Sequence, residues 1–312
     1  MTGIAAVVLA HADPVHLRRL IAALDDVPVF LHCDAKTPEP VFRCMSKDLP
    51  ARVTVCPRIS TNLASWSLVE AELLALRAAL AQTSAEHIVV LSGSDYPLAS
   101  MHELSAELDR WRGRSWLWNV PIPFSAWNTP RHPDGGLWRF NHHFFSHGGQ
   151  VLFWRGIPLR WPMKRQVPSG VTLRASSQWK IYARHHAQQL LQVFDTCPDL
   201  IRFWRSTLVP DESFAASVLA SPSLLGADAL PECPTSAWYV HWPGGMVDHP
   251  DLLRSKDFPK LAALGGASGP SAAVGDQQSA GVVHSHRRFF ARKFATDVDV
   301  DVLDRIDAEL RN

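Results

Sequence analysis

Residues 4–34, IAAVVLAHADPVHLRRLIAALDDVPVFLHCD, decide the reading of the fold. IAAVVLAH is an apolar run of strand length and reads as a buried first strand. DPVHLRRLIAAL changes the period to that of a helix, with Asp13 placed to open it and Pro14 in its first turn. VPVFLHCD is a second buried strand. The alternation continues through ARVTVC (51–56, a short strand), SWSLVEAELLALRAALAQ (65–82, a long helix) and HIVVLSGSD (87–95, another strand). Strand–helix–strand repetition predicts an α/β fold with a central, mainly parallel sheet flanked by helices on both faces. In such sheets ligands bind beyond the carboxyl ends of the strands. Those ends are His11, Cys33–Asp34 and Ser92–Asp95.

The rest of the chain bounds what this sheet serves. With 312 residues, one large α/β domain or two closely packed lobes are both possible. Hydrophobic residues make up 46% and charged ones 20%, which excludes a disordered chain. The formal net charge of +1 supplies no global field for nucleic acid or an anionic membrane, so any anion must be met locally. Five scattered cysteines without a CxxC pair fit a reducing compartment. No segment approaches the roughly 18 uninterrupted apolar residues of a membrane span. The expected location is the cytoplasm, with peripheral contact at the inner face of the membrane left open.

From about Trp111 to Pro168 regularity fades into Trp, Pro, His and Gly. Helix-rich character returns with SSQWKIYARHHAQQLLQVF (176–194) and PDESFAASVLASP (210–222), followed by a strand, AWYVHW (237–242). Residues 264–283 are small, polar and rich in helix breakers, the composition of a mobile loop. The tail from Asp297 restores helical spacing.

Several stretches carry chemistry. LSGSDYPL (91–98) puts small residues, Asp95 and a turn-setting Pro97 where the backbone leaves the sheet. There Asp95 either accepts bonds from a ligand hydroxyl or caps the following turn. Asp34 in FLHCDAK has the same two readings. Glu212 in VPDESF either takes a proton from an attacking hydroxyl or favours a helix start as an acid in its first turn. Arg292 and Lys293, in FFARKF (289–294), can neutralise a diphosphate in place of a divalent metal, or simply be solvated. GLWRF, WPMKR and SQWKIY are candidate aromatic floors for sugars. The histidines of NHHFFSH, His142, His143 and His147, have no accompanying metal-site framework. No Walker A or GxGxxG sequence is present, nor a basic helix suited to DNA.

Taken in order, VVLAHADPVHLRRLIAAL, VFLHCDAK, SLVEAELLALRAAL, VVLSGSDYPL, SSQWKIYAR, PDESFAASVL, HWPGGMVDHPDLL and FFARKF resemble the core-2/I-branching β-1,6-N-acetylglucosaminyltransferase family, which includes the peptide O-xylosyltransferases. The resemblance runs from about Ala5 to Val302. It implies a GT-A-like fold and an inverting glycosyltransferase that uses a UDP-sugar, with GlcNAc or xylose the expected sugar, and needs no cofactor or divalent metal. It implies one domain over 1–312, with a nucleotide-binding half over about 1–110 and an acceptor-binding and catalytic half over about 111–312.

Carried onto matching positions, the resemblance makes Glu212 the general base and assigns Arg292 and Lys293 to the donor diphosphate, with Arg288 a candidate further cation. His11, Asp34, Ser92 and Asp95 fall to the nucleotide and donor sugar. Gln178, Trp179 and Asp211 fall to the acceptor side. The implied acceptor is a glycan, a lipid-linked precursor or a peptide. Family members often carry a WGG-like sequence where this chain has NLASWSLV (62–69), and Gly-Ser-Gln-Trp where it has SSQW. The membrane anchor and structural disulfides of Golgi relatives have no counterpart in the sequence, which favours a bacterial-type cytoplasmic member. Two other readings follow from the residues: a catalytically silent nucleotide- or glycan-binding module of the same ancestry, and a metal-dependent hydrolase built on the His cluster.

Overall fold

The computed structural model describes residues 3–243, 249–266 and 287–312. Its frame is a five-stranded sheet. Strands β1 (Ile4–Ala10), β2 (Val29–Cys33), β3 (Val53–Val55) and β4 (His87–Ser92) run parallel, and Lys180–Ala183 joins the β4 edge antiparallel. β1 lies at the centre, with Val8 opposite Leu31 of β2 and Leu91 of β4. Every residue of β2 and β4 is buried, as unbroken apolar runs require of a sheet covered on both faces. Helices α1 (Pro14–Ala23), α2 (Glu39–Ser46) and α3 (Trp66–Gln82) make the crossovers between successive strands. As expected, Asp13 caps α1, accepting from the His16 backbone N–H at 2.9 Å.

Two expectations need correction. Residues 176–194 are not helical throughout: Lys180–Ala183 is a fully buried strand, and the helix occupies Arg184–Thr196. Alternation places Lys180 and Tyr182 on one face, where both reach the buried Glu72 of α3 at 3.1 and 2.5 Å. A buried carboxylate thus acquires a cation and a hydroxyl, which helix periodicity over the same residues would have denied it.

LSGSDYPL is also more than a turn. The chain turns at Gly93–Ser94, and Asp95–Pro97 is strand β5. At Gly93 a Cβ would lie 2.8 Å from that of Ala10, so the end of β4 passes the end of β1 too closely for any side chain. β5 pairs antiparallel with Phe290–Arg292, which pairs in parallel with Trp238–Val240. This small second sheet sets Arg292 opposite Asp95.

One apolar core includes residues from Ile4 to Phe290, and so joins both halves of the chain. A second packs Tyr96, Phe258 and Phe294 against Val302 of the C-terminal helix Asp301–Glu309. Tyr96 donates to Asp307 of that helix at 2.9 Å, fixing the strand next to Arg292 from behind. Of the expected loop 264–283, Leu264 and Gly265 end the helix Phe258–Gly265, and residues 267–283 lie outside the described residues. Among the described residues no helix is long and apolar enough to cross a membrane, and the five cysteines are free.

Candidate active site

The carboxyl ends of β1, β2 and β4 open into a cleft of about 470 Å³. His11, Asp34, Ser92, Gln178, Trp179, Asp211, Glu212, Arg292 and Lys293 all line it. Residues almost 300 positions apart are thereby gathered because the parallel sheet aligns its strand ends and the small second sheet delivers the C-terminal cations beside them.

Asp95 does not line the cleft. Its carboxylate is fully buried and holds the wall together, accepting from Ser92 N at 3.1 Å, Ser92 Oγ at 2.7 Å and Trp238 Nε1 at 3.0 Å. Arg292 Nε lies 3.1 Å from Asp95 Oδ1 as an ion pair whose N–H is not aligned for a hydrogen bond. Burial pushes the Asp95 carboxyl up, while Arg292 and the Ser92 hydroxyl oppose that. The expectation that Asp95 meets a ligand hydroxyl therefore gives way to a role through Arg292. The guanidinium also lies over the Trp179 ring, 4.4 Å from its centroid, so anion and aromatic face fix it together.

Lys293 is held differently. Half-buried in the cleft, it has no carboxylate paired with it among the described residues. Burial, then the neighbouring Arg292 charge, lowers its pKa. A free ammonium beside a fixed guanidinium is a pair of cations directed at space a ligand can occupy. Lys36 adds a third cation to the lining, tethered to Asn62 Oδ1 at 2.8 Å. Arg288 does not contribute. It donates to the Ser236 carbonyl at 2.6 Å, away from the lining.

At the end of β2, burial would raise the Asp34 carboxyl. Hydrogen bonds from the Thr61 hydroxyl, Lys36 N (2.7 Å) and Thr61 N (3.2 Å) outweigh it and hold the pKa below its ordinary value. Asp34 thus stays charged with acceptor capacity left for a ligand hydroxyl or N–H. Beside it, burial and then Lys293 lower the His11 pKa, favouring a neutral imidazole.

Asp211 and Glu212 arrive on the single turn Pro210–Glu212, preceded by Val209 at φ 51°. A β-branched residue in the left-handed region is a real strain, held here because Val209 N donates to the Ala64 carbonyl at 3.0 Å and its side chain packs beside Leu208. Glu212 is one-third exposed and accepts from Arg139 Nη1 at 3.0 Å. Arg139 is steadied by the Trp127 ring, 3.9 Å away. Glu212 is also near enough to Arg292 for the two charges to interact. Asp211 is the buried member of the pair: burial, then the adjacent Glu212 charge, pushes its carboxyl up to about 7, and its Oδ1 has no protein partner.

The sequence reading missed Arg139, Lys36, Trp242 and His249. GLWRF drew notice for its tryptophan, yet Trp138 stacks on His132 at 4.3 Å outside the cleft and Arg139 is the residue that matters. Of the three aromatic segments, only SQWKIY places a ring, Trp179, in the lining. The His cluster does not converge. His142 is buried beside Arg160 and His143 lies 3.3 Å from Ser206 Oγ. Among the described residues no three His, Cys, Asp or Glu side chains gather to hold a metal. Trp66, in NLASWSLV, packs edge-on against Phe214 at 4.9 Å, bracing the helix that follows Glu212.

Comparison with known proteins bears on this geometry. The family model for the Core-2/I-Branching enzyme matches residues 28–250. Xylosyltransferase 2 of Mus musculus is 24% identical over 235 residues, covering 72% of this chain and 23% of the relative. The Homo sapiens protein of that name is 25% identical over 237 residues, with the same coverage. The chain thus spans about a quarter of the length of the curated relatives it matches. Among solved structures, HddC from Yersinia pseudotuberculosis aligns with 60% of this chain and 79% of its own at 15% identity and a TM-score of 0.27, too slight a likeness to bear on the fold. With the matched family, the helix-flanked, mostly parallel sheet is that of a GT-A-like glycosyltransferase fold.

Proposed function

Since the chain belongs to the Core-2/I-Branching enzyme family, we propose that it is an inverting glycosyltransferase that moves a sugar from a UDP-sugar to an acceptor hydroxyl without a divalent metal. The observation that carries this reading is the lining of a single cleft by an accessible carboxylate, Glu212, and by two cations, Arg292 and Lys293. Inversion by a single displacement needs a base at the attacking oxygen and a positive sink at the departing one.

In the proposed step Glu212 takes the proton of the acceptor hydroxyl, and that oxygen bonds to the anomeric carbon. The bond from that carbon to the β-phosphate oxygen breaks, and its electron pair leaves with UDP. Arg292 and Lys293 receive the charge that develops on the diphosphate. Arg139 orients Glu212. Asp211, its carboxyl pushed up to about 7, holds its proton below that pH and leaves Glu212 to carry the negative charge. On the donor side, Asp34 and the neutral His11 are suited to a nucleoside's hydroxyls and ring N–H groups. The names of the xylosyltransferase relatives favour xylose as the donor sugar, and GlcNAc fits the family. Gln178 and Trp179 are assigned to the acceptor side.

The test is to incubate the protein with UDP-xylose and UDP-GlcNAc, with and without a strong chelator, and to measure release of UDP. The reading expects release that the chelator leaves unchanged. Release abolished by the chelator and restored by Mg²⁺ or Mn²⁺ would remove the role given to the two cations. Tight binding of UDP with no turnover on any acceptor would leave the silent binding module instead.

A further inference from the structure

Eight of the thirteen large apolar side chains exposed among the described residues fall between Phe145 and Met163. Such side chains scattered singly need no explanation, but a cluster of this size marks an interaction surface. The cluster is built on four two-residue strands. Phe145 N donates to the Leu159 carbonyl, Leu152 N to that of Phe145 and Leu159 N to that of Leu152, which ties 143–147, 150–154 and 157–161 into one ribbon. Its tip is a tight hairpin in which Trp154 lies opposite Ile157, with Arg155 and Gly156 between them.

Two observations say what covers this surface. Residues 143–164 contain no Asp or Glu and carry Arg155, Arg160 and Lys164, in a chain whose net charge is only +1. The exposed rings also stand beside exposed cations. Trp154, 61% exposed, has the Arg155 guanidinium 4.9 Å from its ring, and Met163, 67% exposed, precedes Lys164. Rings and thioether for the acyl boundary, with guanidinium and ammonium for the headgroups, are what an interfacial anchor presents. A partner protein matched to an apolar face would not need a ribbon free of acids; charge complementarity with an anionic lipid surface does.

We propose that the ribbon 143–163 seats the protein on an anionic membrane, with Trp154, Trp161 and Met163 inserted at the interface and Arg155 and Lys164 at the phosphates. The ribbon is joined to the reacting side of the cleft. Phe144 and Val151 pack with Leu208 in a small core that also holds Val209, the residue preceding the Asp211–Glu212 turn. Docking therefore sets the Glu212 side of the cleft next to the lipid headgroups. If the proposed transferase reading holds, this favours a lipid-linked acceptor.

The experiment is co-sedimentation of the full chain with vesicles of phosphatidylcholine alone and of phosphatidylcholine with 30% phosphatidylglycerol, at low and high salt. The proposal expects binding to the anionic vesicles that salt weakens. The double variant Arg155→Gln/Lys164→Gln should bind them about 25-fold more weakly, at about fivefold per cation, and Trp154→Ser/Met163→Ser at least about tenfold more weakly. Thermal melting of each variant checks that it folds, and quenching of wild-type tryptophan fluorescence by brominated lipid gives a readout that needs no variant. No binding by the wild type, equal binding to neutral vesicles, or full binding by both variants would overturn the proposal. So would concentration-dependent self-association lost in the Trp154 variant, which would give the surface to a second copy of the chain. Because no outcome depends on turnover, failure here is distinguishable from failure of the catalytic reading.

Discussion

Asp95 and Glu212 are both carboxylates beside an arginine at the same cleft, yet they are built in opposite ways. Asp95 is fully buried, accepts three hydrogen bonds and pairs with Arg292 across a sheet register. Glu212 is partly exposed, rests on a single turn and has one hydrogen-bonded cation, Arg139. A buried carboxylate that accepts three hydrogen bonds and faces a guanidinium is committed to holding its neighbours, and exchanging a proton there would break several contacts at once. A partly exposed carboxylate with one partner can meet an incoming hydroxyl. Placement, rather than residue type, separates the acid that positions from the acid suited to react.

The sharpest attempt to break this contrast is Glu212→Gln, which should lower kcat about 100- to 10,000-fold while leaving the melting temperature nearly unchanged. An equal loss of stability would place Glu212 among the structural acids. Lys293→Ala should cost about 100- to 1000-fold in the same assay, with Lys293→Arg recovering part of it. Asp95→Ala reverses the pattern. It strands Arg292 beside a lost partner and should destabilise the fold by about 3–5 kcal/mol in chemical denaturation, with activity lost through misplacement of Arg292.

Asp211 offers a pH test of the same idea. Its carboxyl lies near about 7 in the folded protein and at about 3.9 in an unfolded chain. The folded state therefore holds a proton on Asp211 between those values, and this group's contribution to stability falls as pH rises from about 4 to about 7. Asp211→Asn should flatten that decline, so that variant and wild type diverge most at pH 8 and converge below pH 4. A pair of denaturant titrations at each pH decides it. The smallest effect belongs to Arg139→Ala. A partly exposed pair contributes about 1 kcal/mol or less, so stability should hardly move while the rate falls as Glu212 loses its orientation.

How much could be read beforehand depended on how local each signal is. The period change from strand to helix across 4–34 is carried by neighbouring residues, and the structure places the elements where that pattern sets them. Lys180–Ala183 was hidden because KIYA runs straight into a true helix. Only the exposed edge of β4 and the buried Glu72 make it a strand. Arg139 was hidden for a related reason: nothing near it in the chain marks an arginine that will meet Glu212, 73 positions later.

Apolar periodicity and strand length by themselves determined the strands and helices from β1 to β4 and their succession along the chain, because those depend on interactions between residues a few positions apart. Which carboxylate is sealed behind Arg292 and which stands open beside Arg139 was decided only when the second sheet set Arg292 opposite Asp95. Burial and pairing across nearly 200 residues are properties of the packed molecule, since solvation and Coulomb interaction depend on distance in space and not on distance along the chain.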